Sequence, residues 1–429
     1  MLLFTLEGFT PAALSCYGSS WNRTESIDAA ASIGTVWDRA VTPVTDPLAQ
    51  LDRWLSCGQF PADHMVVVTD DERLSRLPSA DAIGELMVIP QPGGDRVADS
   101  LEDTTLASLV AIAAEQLPDN PHVWLHSRFL TRLWDAPRDL FPIDQLDEAD
   151  LAPLDAAESL ELELEQQHRS DVDEPPGMPA ILPHWQPPHF LRRAADDPDL
   201  VMAWMRTYGC QIRLVDALFG LLHSVAAETG HDAIVLAGTS GFALGQNGAI
   251  GHRAGPLRSC HLHVPIVAAP LHAEGRVGGS DASFSGVGIR DRNVASADRL
   301  PAIMAAVTSE PTRSPLSPEV WAARRAHDQE SVAPDDAVVT RQGQQHVAIT
   351  TRDWFYATQL VTADGESSSD SQTSHDNQGP ADDERPTDHG EPDSRGHLYL
   401  KPDDLWDVND VARLRADTAN QFAETLRNE

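Results

Sequence analysis

The chain has 429 residues and a formal net charge of −35 at pH 7, and 41% of its residues are hydrophobic. The charge argues against nucleic acid as a partner, because its phosphates would be repelled. No stretch approaches the roughly 20 apolar residues of a membrane span, so no transmembrane segment is predicted.

The first half of the chain alternates between apolar segments of strand length and of helix length. We predict strands at 65–68 and 85–89, and helices at 28–33 and 105–116. Such alternation is typical of an α/β protein. The length is ample for a large core, so we expect one large α/β domain with a smaller appendage.

A long helix and a buried strand are predicted in the middle of the chain. Apolar side chains recur at helical spacing through 201–225. Residues 234–237 are apolar and largely β-branched, and the Gly/Ser/Thr turn after them predicts a strand that ends in a loop. Ligands bind at the carboxyl ends of strands in open α/β sheets, so this loop is a candidate site.

A separate subdomain is predicted in the last quarter of the chain. Three prolines between residues 310 and 320 indicate a linker. Antiparallel strands are predicted within 346–360 and a terminal helix at 410–426. The predicted domains are therefore 1–310 and 311–429.

Two segments carry more than half of the negative charge. Residues 144–174 have a net charge of −11 and residues 364–395 a net charge of −8. We interpret them as acidic insertions at about 144–178 and 364–396. The second has almost no apolar residues, so it is predicted to be disordered, in a loop between two neighbouring strands.

Several segments in order resemble the sulfatase family of the alkaline phosphatase superfamily. Residues 2–8 (LLFTLEG) resemble its first strand, and residues 121–137 its central strand and following loop. Residues 24–42 match a family phrase with fixed places for Ile27, Asp28, Ala31, Gly34 and Ala40. The resemblance implies a mixed, mostly parallel central sheet flanked by helices, with a small C-terminal antiparallel α+β subdomain.

The resemblance continues towards the C-terminus. Residues 231–270 are similar to the family's second metal-binding segment, in which Leu244, Gly245, Gly248, Val264 and Pro265 fall in step. Residues 397–414 resemble the C-terminal hallmark, through Leu398-Tyr399 and Val408-Asn409.

The residues that carry the family's chemistry are changed. Its nucleophile is a Cys that is oxidised to formylglycine within Cys-x-Pro-x-Arg. Here Thr45 takes the Cys position, Pro47 is kept and Ala49 replaces the Arg. Formylglycine cannot form from Thr, so Thr45 is a candidate only as an activated hydroxyl nucleophile.

Basic residues of the implied site are also altered. Arg253 is the nearest cation to the place where the resemblance implies a catalytic Lys. Within 127–133, where it implies a His, the only basic residues are Arg128 and Arg132.

The implied metal ligands are reduced to one carboxylate. The family's paired N-terminal aspartates correspond to Glu7 and Gly8, and its later Asp-His pair to Thr239 and Ser240. A hard cation prefers several carboxylates. We therefore expect no metal cofactor, with calcium or magnesium only in a hydrolase with a rebuilt site.

A zinc site is the competing hypothesis. His252, Cys260, His261 and His263 offer nitrogen and sulfur ligands within twelve residues. On a strand, His261 and His263 would face one side and Cys260 the other, and no paired spacing supports them. We favour a structural role for these residues.

Three functions follow from these patterns. The first is a catalytically degenerate sulfatase-like protein that binds an anionic small molecule or a protein partner. The second is a sulfuric or phosphoric ester hydrolase that uses Thr45, Glu7 and nearby arginines. The third is a structural or regulatory protein that acts through its acidic insertions, so enzymatic activity remains open.

The beginning of the sequence bears on location. Residues 1–6 have no basic segment before them and Glu7 interrupts the apolar run, so no signal peptide is predicted. A cytoplasmic protein is expected, although a misassigned start would give the same appearance.

Overall fold

A computed structural model describes most of the chain. It covers residues 1–58, 65–90, 96–142, 179–193, 196–197, 199–251, 257–271, 288–309, 337–343, 345–360 and 396–428. Arg253, His252, nearly all of the two predicted acidic insertions and the predicted domain boundary near residue 310 lie outside these residues.

The described strands are, in chain order, β1 (Leu2–Leu6), β2 (Thr35–Val41), β3 (Val66–Thr69), β4 (Glu85–Val88), β5 (Val123–Ser127), β6 (Phe190–Leu191), β7 (Ala233–Gly238), β8 (Ala243–Leu244), β9 (Ala249–Gly251), β10 (His263–Val264), β11 (Ile266–Pro270), β12 (Ile289–Ser296), β13 (Ala337–Gln342), β14 (His346–Thr351), β15 (Trp354–Gln359) and β16 (His397–Leu400).

The described α-helices are α1 (Glu25–Ile33), α2 (Pro47–Ser56), α3 (Thr105–Gln116), α4 (Phe129–Arg132), α5 (Leu200–Glu228), α6 (Ser259–Leu262), α7 (Leu300–Ser309) and α8 (Ala416–Asn428). Short 3-10 turns lie between them, including one at Glu72–Arg76.

A nine-stranded mixed sheet forms the centre of the molecule. Its order is β10-β2-β11-β7-β1-β5-β3-β4, with β12 parallel beside β2. Strands β7, β1, β5, β3 and β4 are parallel neighbours, whereas β11 is antiparallel to both β7 and β2. The carboxyl ends of β1, β2, β3, β5 and β7 consequently share one edge.

Helices cover both faces of this sheet. All five residues of β1 are buried. Leu2, Phe4 and Leu6 pack in a core with residues of α1, α3 and α5, while Leu3 joins a second core with residues of α2 and α7. A strand buried on both faces has an apolar run instead of an alternating pattern, as β1 does.

Helix α5 is the only described helix that is long and apolar enough to span a membrane. In its most apolar window, 56% of the residues are buried inside the protein. It lies against α1 and α3. Helix α5 is therefore a core helix in the layer that covers the sheet.

An antiparallel sheet of order β13-β14-β15-β16 forms the C-terminal part. Its Phe355 and Tyr399 pack with Val41 of β2 and Leu262 of α6, and α8 covers the opposite face. The long insertion after β15 therefore connects two antiparallel neighbours, which confirms the predicted pairing of its flanking strands.

Two helix boundaries differ from the predictions. Helix α1 begins at Glu25, three residues early, because the Asp216 carboxylate of α5 accepts the amide protons of Ser26 and Ile27. Helix α8 begins at Ala416, six residues after the predicted start. There Asp410 binds the amides of Leu398 and Ala412, which ties its backbone to β16 instead of a helix.

Candidate functional site

Glu7 lies directly after β1, at the carboxyl edge of the main sheet. Its side chain is 9% exposed. Oε2 lies 2.7 Å from Arg73 Nη2 and 3.3 Å from Arg128 Nε, and Oε1 accepts a hydrogen bond of 2.9 Å from the Thr131 hydroxyl. Both carboxylate oxygens are therefore engaged by donors of the protein.

Arg73 links Glu7 to a second, fully buried carboxylate. Its Nε lies 2.8 Å from Asp71 Oδ1, and its Nη2 lies 2.8 Å from Asp71 Oδ2. Such bidentate pairs are among the strongest ion pairs in proteins. The amide of Arg73 also donates to Asp71 Oδ1 at 3.0 Å. This bond caps the turn that follows β3 and fixes the guanidinium between the two acids.

Asp71 and Arg73 each stabilise the charged form of the other. Burial raises the pKa of Asp71, but the hydrogen bonds from Arg73 and the positive charge of Arg73 lower it below its usual value overall. Burial alone would lower the pKa of Arg73, yet Asp71 and Glu7 raise it. Both groups are ionised at neutral pH.

Asp70 adds a third carboxylate to the same edge. It accepts hydrogen bonds from the Ser127 hydroxyl at 3.0 Å and the Arg128 amide at 2.9 Å. Burial raises the pKa of Asp70, and these two bonds oppose the shift. Arg132 lies beside it, with Nη1 3.5 Å from the Asp70 carbonyl oxygen, and is exposed.

His126 lies beneath the network, at the end of β5. Its Nδ1 is 2.9 Å from the Thr5 hydroxyl, which also accepts the indole proton of Trp124 at 2.8 Å. Its Nε2 is buried and has no hydrogen bond among the described residues, and lies 4.0 Å from Asp71 Oδ2. Burial lowers the pKa of His126 to about 4, so the ring is neutral at pH 7.

The order of the strands explains why these residues meet. Glu7 follows β1, Arg128 follows β5, and Asp70 and Asp71 follow β3. These three parallel strands are consecutive in the sheet, in the order β1-β5-β3. Their carboxyl ends bring together residues that are more than fifty positions apart in sequence.

The other three positions at which the resemblance implies metal ligands, Gly8, Thr239 and Ser240, make hydrogen bonds that connect backbone segments. Gly8 donates its amide proton to Ser240 Oγ at 2.9 Å, and its carbonyl oxygen accepts from the Tyr208 hydroxyl at 2.8 Å. Thr239 donates to the carbonyl oxygen of Leu6 through its amide at 2.9 Å. The Thr239 amide and the Ser240 hydroxyl thus hold the ends of β7 and β1 together.

Thr45 follows β2, at the same edge but farther along it. At about 4.8 Å per strand, β2 is about 14 Å from β1. Thr45 precedes Asp46, whose side chain accepts the Leu48 amide proton at the start of α2. Among the described residues, no hydrogen bond joins Thr45 to Glu7, Thr239 or a basic side chain.

The candidate zinc ligands occupy a different local structure from the one predicted. Cys260 and His261 belong to the short helix α6, not to a strand, and only His263 begins a strand. His263 Nε2 lies 2.8 Å from the Asp38 carbonyl oxygen. Within the described ranges, no group of three or more His, Cys, Asp or Glu side chains is placed to hold a metal.

A calcium or magnesium ion does not fit the described carboxylates as they stand. Such ions bind through oxygen lone pairs at about 2.0–2.6 Å. The oxygens of Glu7 and Asp71 already accept from Arg73 and Thr131, and position 8 offers only a backbone amide and carbonyl. The arrangement combines buried acids with fixed guanidinium groups.

Sequence reasoning missed Asp70, Asp71 and Arg73. The signal was available, because the segment TDDER (69–73) follows a run of valines that was correctly predicted as a strand. Polar residues immediately after a buried parallel strand mark the ligand-binding edge of an α/β sheet. The resemblance directed attention to Glu7 and Gly8 instead, which is why one carboxylate was counted where three lie together.

Comparisons with known proteins agree with the architecture. No family model matches the chain, and no curated protein matches its sequence with significance. The structure of a 2-O GAG sulfatase aligns over 100% of this chain and 90% of its own, with 11% identity and a TM-score of 0.57.

Two further structures give the same result. A protein in complex with its substrate D-glucosamine-2-N,6-O-disulfate aligns over 100% of this chain and 96% of its own, with 12% identity and a TM-score of 0.56. The phosphonate monoester hydrolase of Agrobacterium radiobacter aligns over 100% and 94%, with 14% identity and a TM-score of 0.57. The chain therefore has the fold shared by a sulfatase and a phosphonate monoester hydrolase, which confirms the sulfatase-like fold predicted from the sequence.

Proposed function

We propose that this protein binds an anionic ester at the carboxyl edge of its main sheet and does not hydrolyse it. The expected ligand carries a sulfate or phosphate group. The observation that carries the proposal is the layering of charge at this edge, with carboxylates inside and guanidinium groups outside.

The exposed fractions of the side chains describe this layering. Asp71 and Glu7 are 0% and 9% exposed, whereas Arg73 and Arg128 are 31% and 26% exposed. Arg132 is exposed beside them. Glu7 and Asp71 bind Arg73, and Glu7 also contacts Arg128, so these acids hold two partly exposed guanidinium groups at this edge.

Such fixed guanidinium groups suit an oxyanion. Arginine presents donors in a planar fork that matches the geometry of sulfate and phosphate oxygens. Donors that are already held in place lose little conformational entropy when the ligand binds. In a chain of net charge −35, a local group of arginines also reduces the repulsion that an anion meets.

The nucleophile position supports the proposed absence of hydrolysis. A Thr hydroxyl attacks only when a base or a metal ion lowers its pKa. Thr45 has neither among its described hydrogen bonds, and the acids that could hold a metal are paired with arginines. We therefore propose that the protein needs no divalent metal cofactor.

Arg132→Ala is expected to weaken the binding of 4-nitrophenyl sulfate about tenfold to hundredfold, because one charge-assisted hydrogen bond is lost. Isothermal titration calorimetry on the full chain measures the affinity, and nitrophenolate release in the same samples measures turnover. Arg76→Ala is the matched control, because Arg76 is an exposed arginine whose partner is the exposed Glu72.

The outcomes separate the three candidate functions. Binding without turnover, weakened by Arg132→Ala and not by Arg76→Ala, supports the proposal. Turnover that disappears in Thr45→Ala would establish the ester hydrolase instead. If neither 4-nitrophenyl sulfate nor 4-nitrophenyl phosphate binds, the proposal is wrong and a role through the acidic insertions becomes the better hypothesis.

A further inference from the structure

We propose that an exposed apolar surface around the hairpin of β8 and β9 binds the same surface of a second copy of this chain, in a dimer with two-fold symmetry. We name it the hairpin surface. It is formed by three segments, which are the end of β6, the first turn of α5 and the loop after β16, and its exposed side chains are Leu191, Arg192, Arg193, Met202, Asp403, Leu405, Trp406 and Val408. None of these residues belongs to the ion-pair network at the carboxyl edge.

Most of the exposed large hydrophobic side chains lie in these three segments. Among the described residues, eight such side chains are exposed, and five of them belong to the hairpin surface. The exposed fraction is 40% for Leu191 and Trp406 and 66% for Val408. Single exposed apolar side chains are common, but a group of them in one place marks an interaction site.

The hairpin contacts the end of β6 and the first turn of α5. Strand β6 pairs with β9, and the Arg192 amide donates to the Gly248 carbonyl oxygen at 2.9 Å. A Cβ built at Gly245 would lie 2.9 Å from Cγ1 of Val201, the residue before Met202. The exposed side chains of these two segments therefore border the same turn.

The tip of the hairpin also contacts the loop after β16. The side-chain amide of Asn247 lies 3.5 Å from the carbonyl oxygen of Asp407, which stands between Trp406 and Val408. The Asp407 carboxylate accepts the amide and hydroxyl protons of Ser259 at 2.7 and 2.8 Å, so the loop is fixed at this residue. Side chains on a loop that is already ordered lose less entropy when a partner binds.

Charged side chains of both signs flank the apolar ones. Arg192 and Arg193 are exposed at the end of β6, and Asp403 is exposed in the loop after β16. None of these three side chains forms an ion pair with another described residue. Asp404 adds a second, partly exposed acid to the loop. The surface therefore has a basic part from β6 and an acidic part from the loop.

This distribution of charge fits a second copy of the chain. In an interface with two-fold symmetry, each part of the surface faces the other part on the partner. The arginines of β6 would then face the aspartates of the loop twice, with apolar side chains between them. A partner of one charge sign would repel one of the two parts.

The net charge of −35 opposes association at long range. More than half of it belongs to the two acidic insertions, which are not part of the hairpin surface. Salt also screens exposed charges beyond about 8 Å at physiological ionic strength. Contacts within the surface can therefore decide the association.

Trp406→Asp tests the proposal in the full chain at physiological ionic strength. Sedimentation equilibrium should show a dimer for wild type, and the variant should weaken the dimer roughly thirtyfold or more, because a tryptophan at the centre of an interface is a typical hot spot. Leu221→Asp is the matched control. Leu221 is an exposed leucine of α5 outside the hairpin surface, so this variant should dimerise as wild type does.

An exchange of charges tests the two-fold arrangement. Arg192→Glu/Arg193→Glu and Asp403→Lys should each weaken self-association about tenfold, because each places like charges opposite each other. A mixture of the two purified variants should form a mixed dimer, since opposite charges then face each other in both halves. Native mass spectrometry distinguishes this mixed dimer from the two parent dimers.

Three results would overturn the proposal. One is a wild type that stays monomeric up to its solubility limit. Another is a dimer of unchanged affinity in Trp406→Asp, or in Val408→Asp if the first variant does not fold. The third is a mixture of the charge variants that associates no better than each variant alone. Binding of 4-nitrophenyl sulfate is measured separately, so this proposal and the proposed function can fail independently.

Discussion

Gly8→Ala is expected to lower the free energy of unfolding by roughly 3 kcal/mol or more. Gly8 has a φ of +75°, in the left-handed region where a side chain costs about 1–2 kcal/mol. An added Cβ would also lie 2.5 Å from Thr131 Cγ2. Such overpacking costs about 1–3 kcal/mol in addition, and urea unfolding at pH 7 measures the sum.

Gly230→Ala is the matched control for this measurement. Gly230 follows the C-terminus of α5 with a φ of +83°, and an added Cβ there meets no described atom within 4 Å. It should lose only the backbone contribution, about 1–2 kcal/mol. Equal losses in the two variants would show that Thr131 moves aside easily and that position 8 can accept a side chain.

The Gly8 result also bears on the departure from the sulfatase pattern. The resemblance implies an aspartate at this position, but the space is taken by Thr131, whose hydroxyl binds Glu7. We therefore expect Gly8→Asp to destabilise the protein and not to restore a metal site.

A fall from pH 7 to pH 5 is expected to destabilise the protein through two buried histidines. Burial lowers the pKa of both His126 and His263 to about 4, against about 6.5 in the unfolded chain. Between these values the unfolded chain binds more protons than the folded one, so stability is lost as the pH falls. Each histidine contributes about 2 kcal/mol of this loss at pH 5.

Variants isolate each contribution. His126→Asn retains an amide near the Thr5 hydroxyl but does not titrate, and His263→Gln does the same near the Asp38 carbonyl oxygen. Each should reduce the difference in unfolding free energy between pH 7 and pH 5 by about 2 kcal/mol. An unchanged difference in His126→Asn would show that this ring is protonated in the folded protein.

The comparison between variants matters because other groups act in the opposite direction. Burial raises the pKa of Asp70, Asp135 and Asp216. A carboxyl with a raised pKa binds its proton more tightly in the folded chain, so its contribution to stability grows as the pH falls through that pKa. The pH profile of wild type alone would mix the two effects.

The sequence by itself determined the elements that depend on local apolar patterns. The helix at 105–116 was predicted with the bounds that it has, and strands β3, β4 and β7 were predicted to within a residue or two. Their signals are local, because burial imposes a periodicity of apolar residues on each helix and strand. The order of the resembling segments was enough to predict the fold.

Boundaries and the candidate site depended on tertiary contacts. The start of α1 is set by Asp216, which lies 188 residues after Asp28, and the start of α8 by the contacts of Asp410 with β16. No local pattern contains such partners.

Which residues form the ion-pair network was decided only by the order of the strands in the sheet. Glu7, Asp71 and Arg128 are polar residues after three separate strands, and the strand order β1-β5-β3 brings their ends together. Sequence alone gave Glu7 as a single remaining acid and left Arg73 unassigned. Because parallel strands collect distant residues at one edge, the number of carboxylates and their arginine partners could be known only after the strands had been placed.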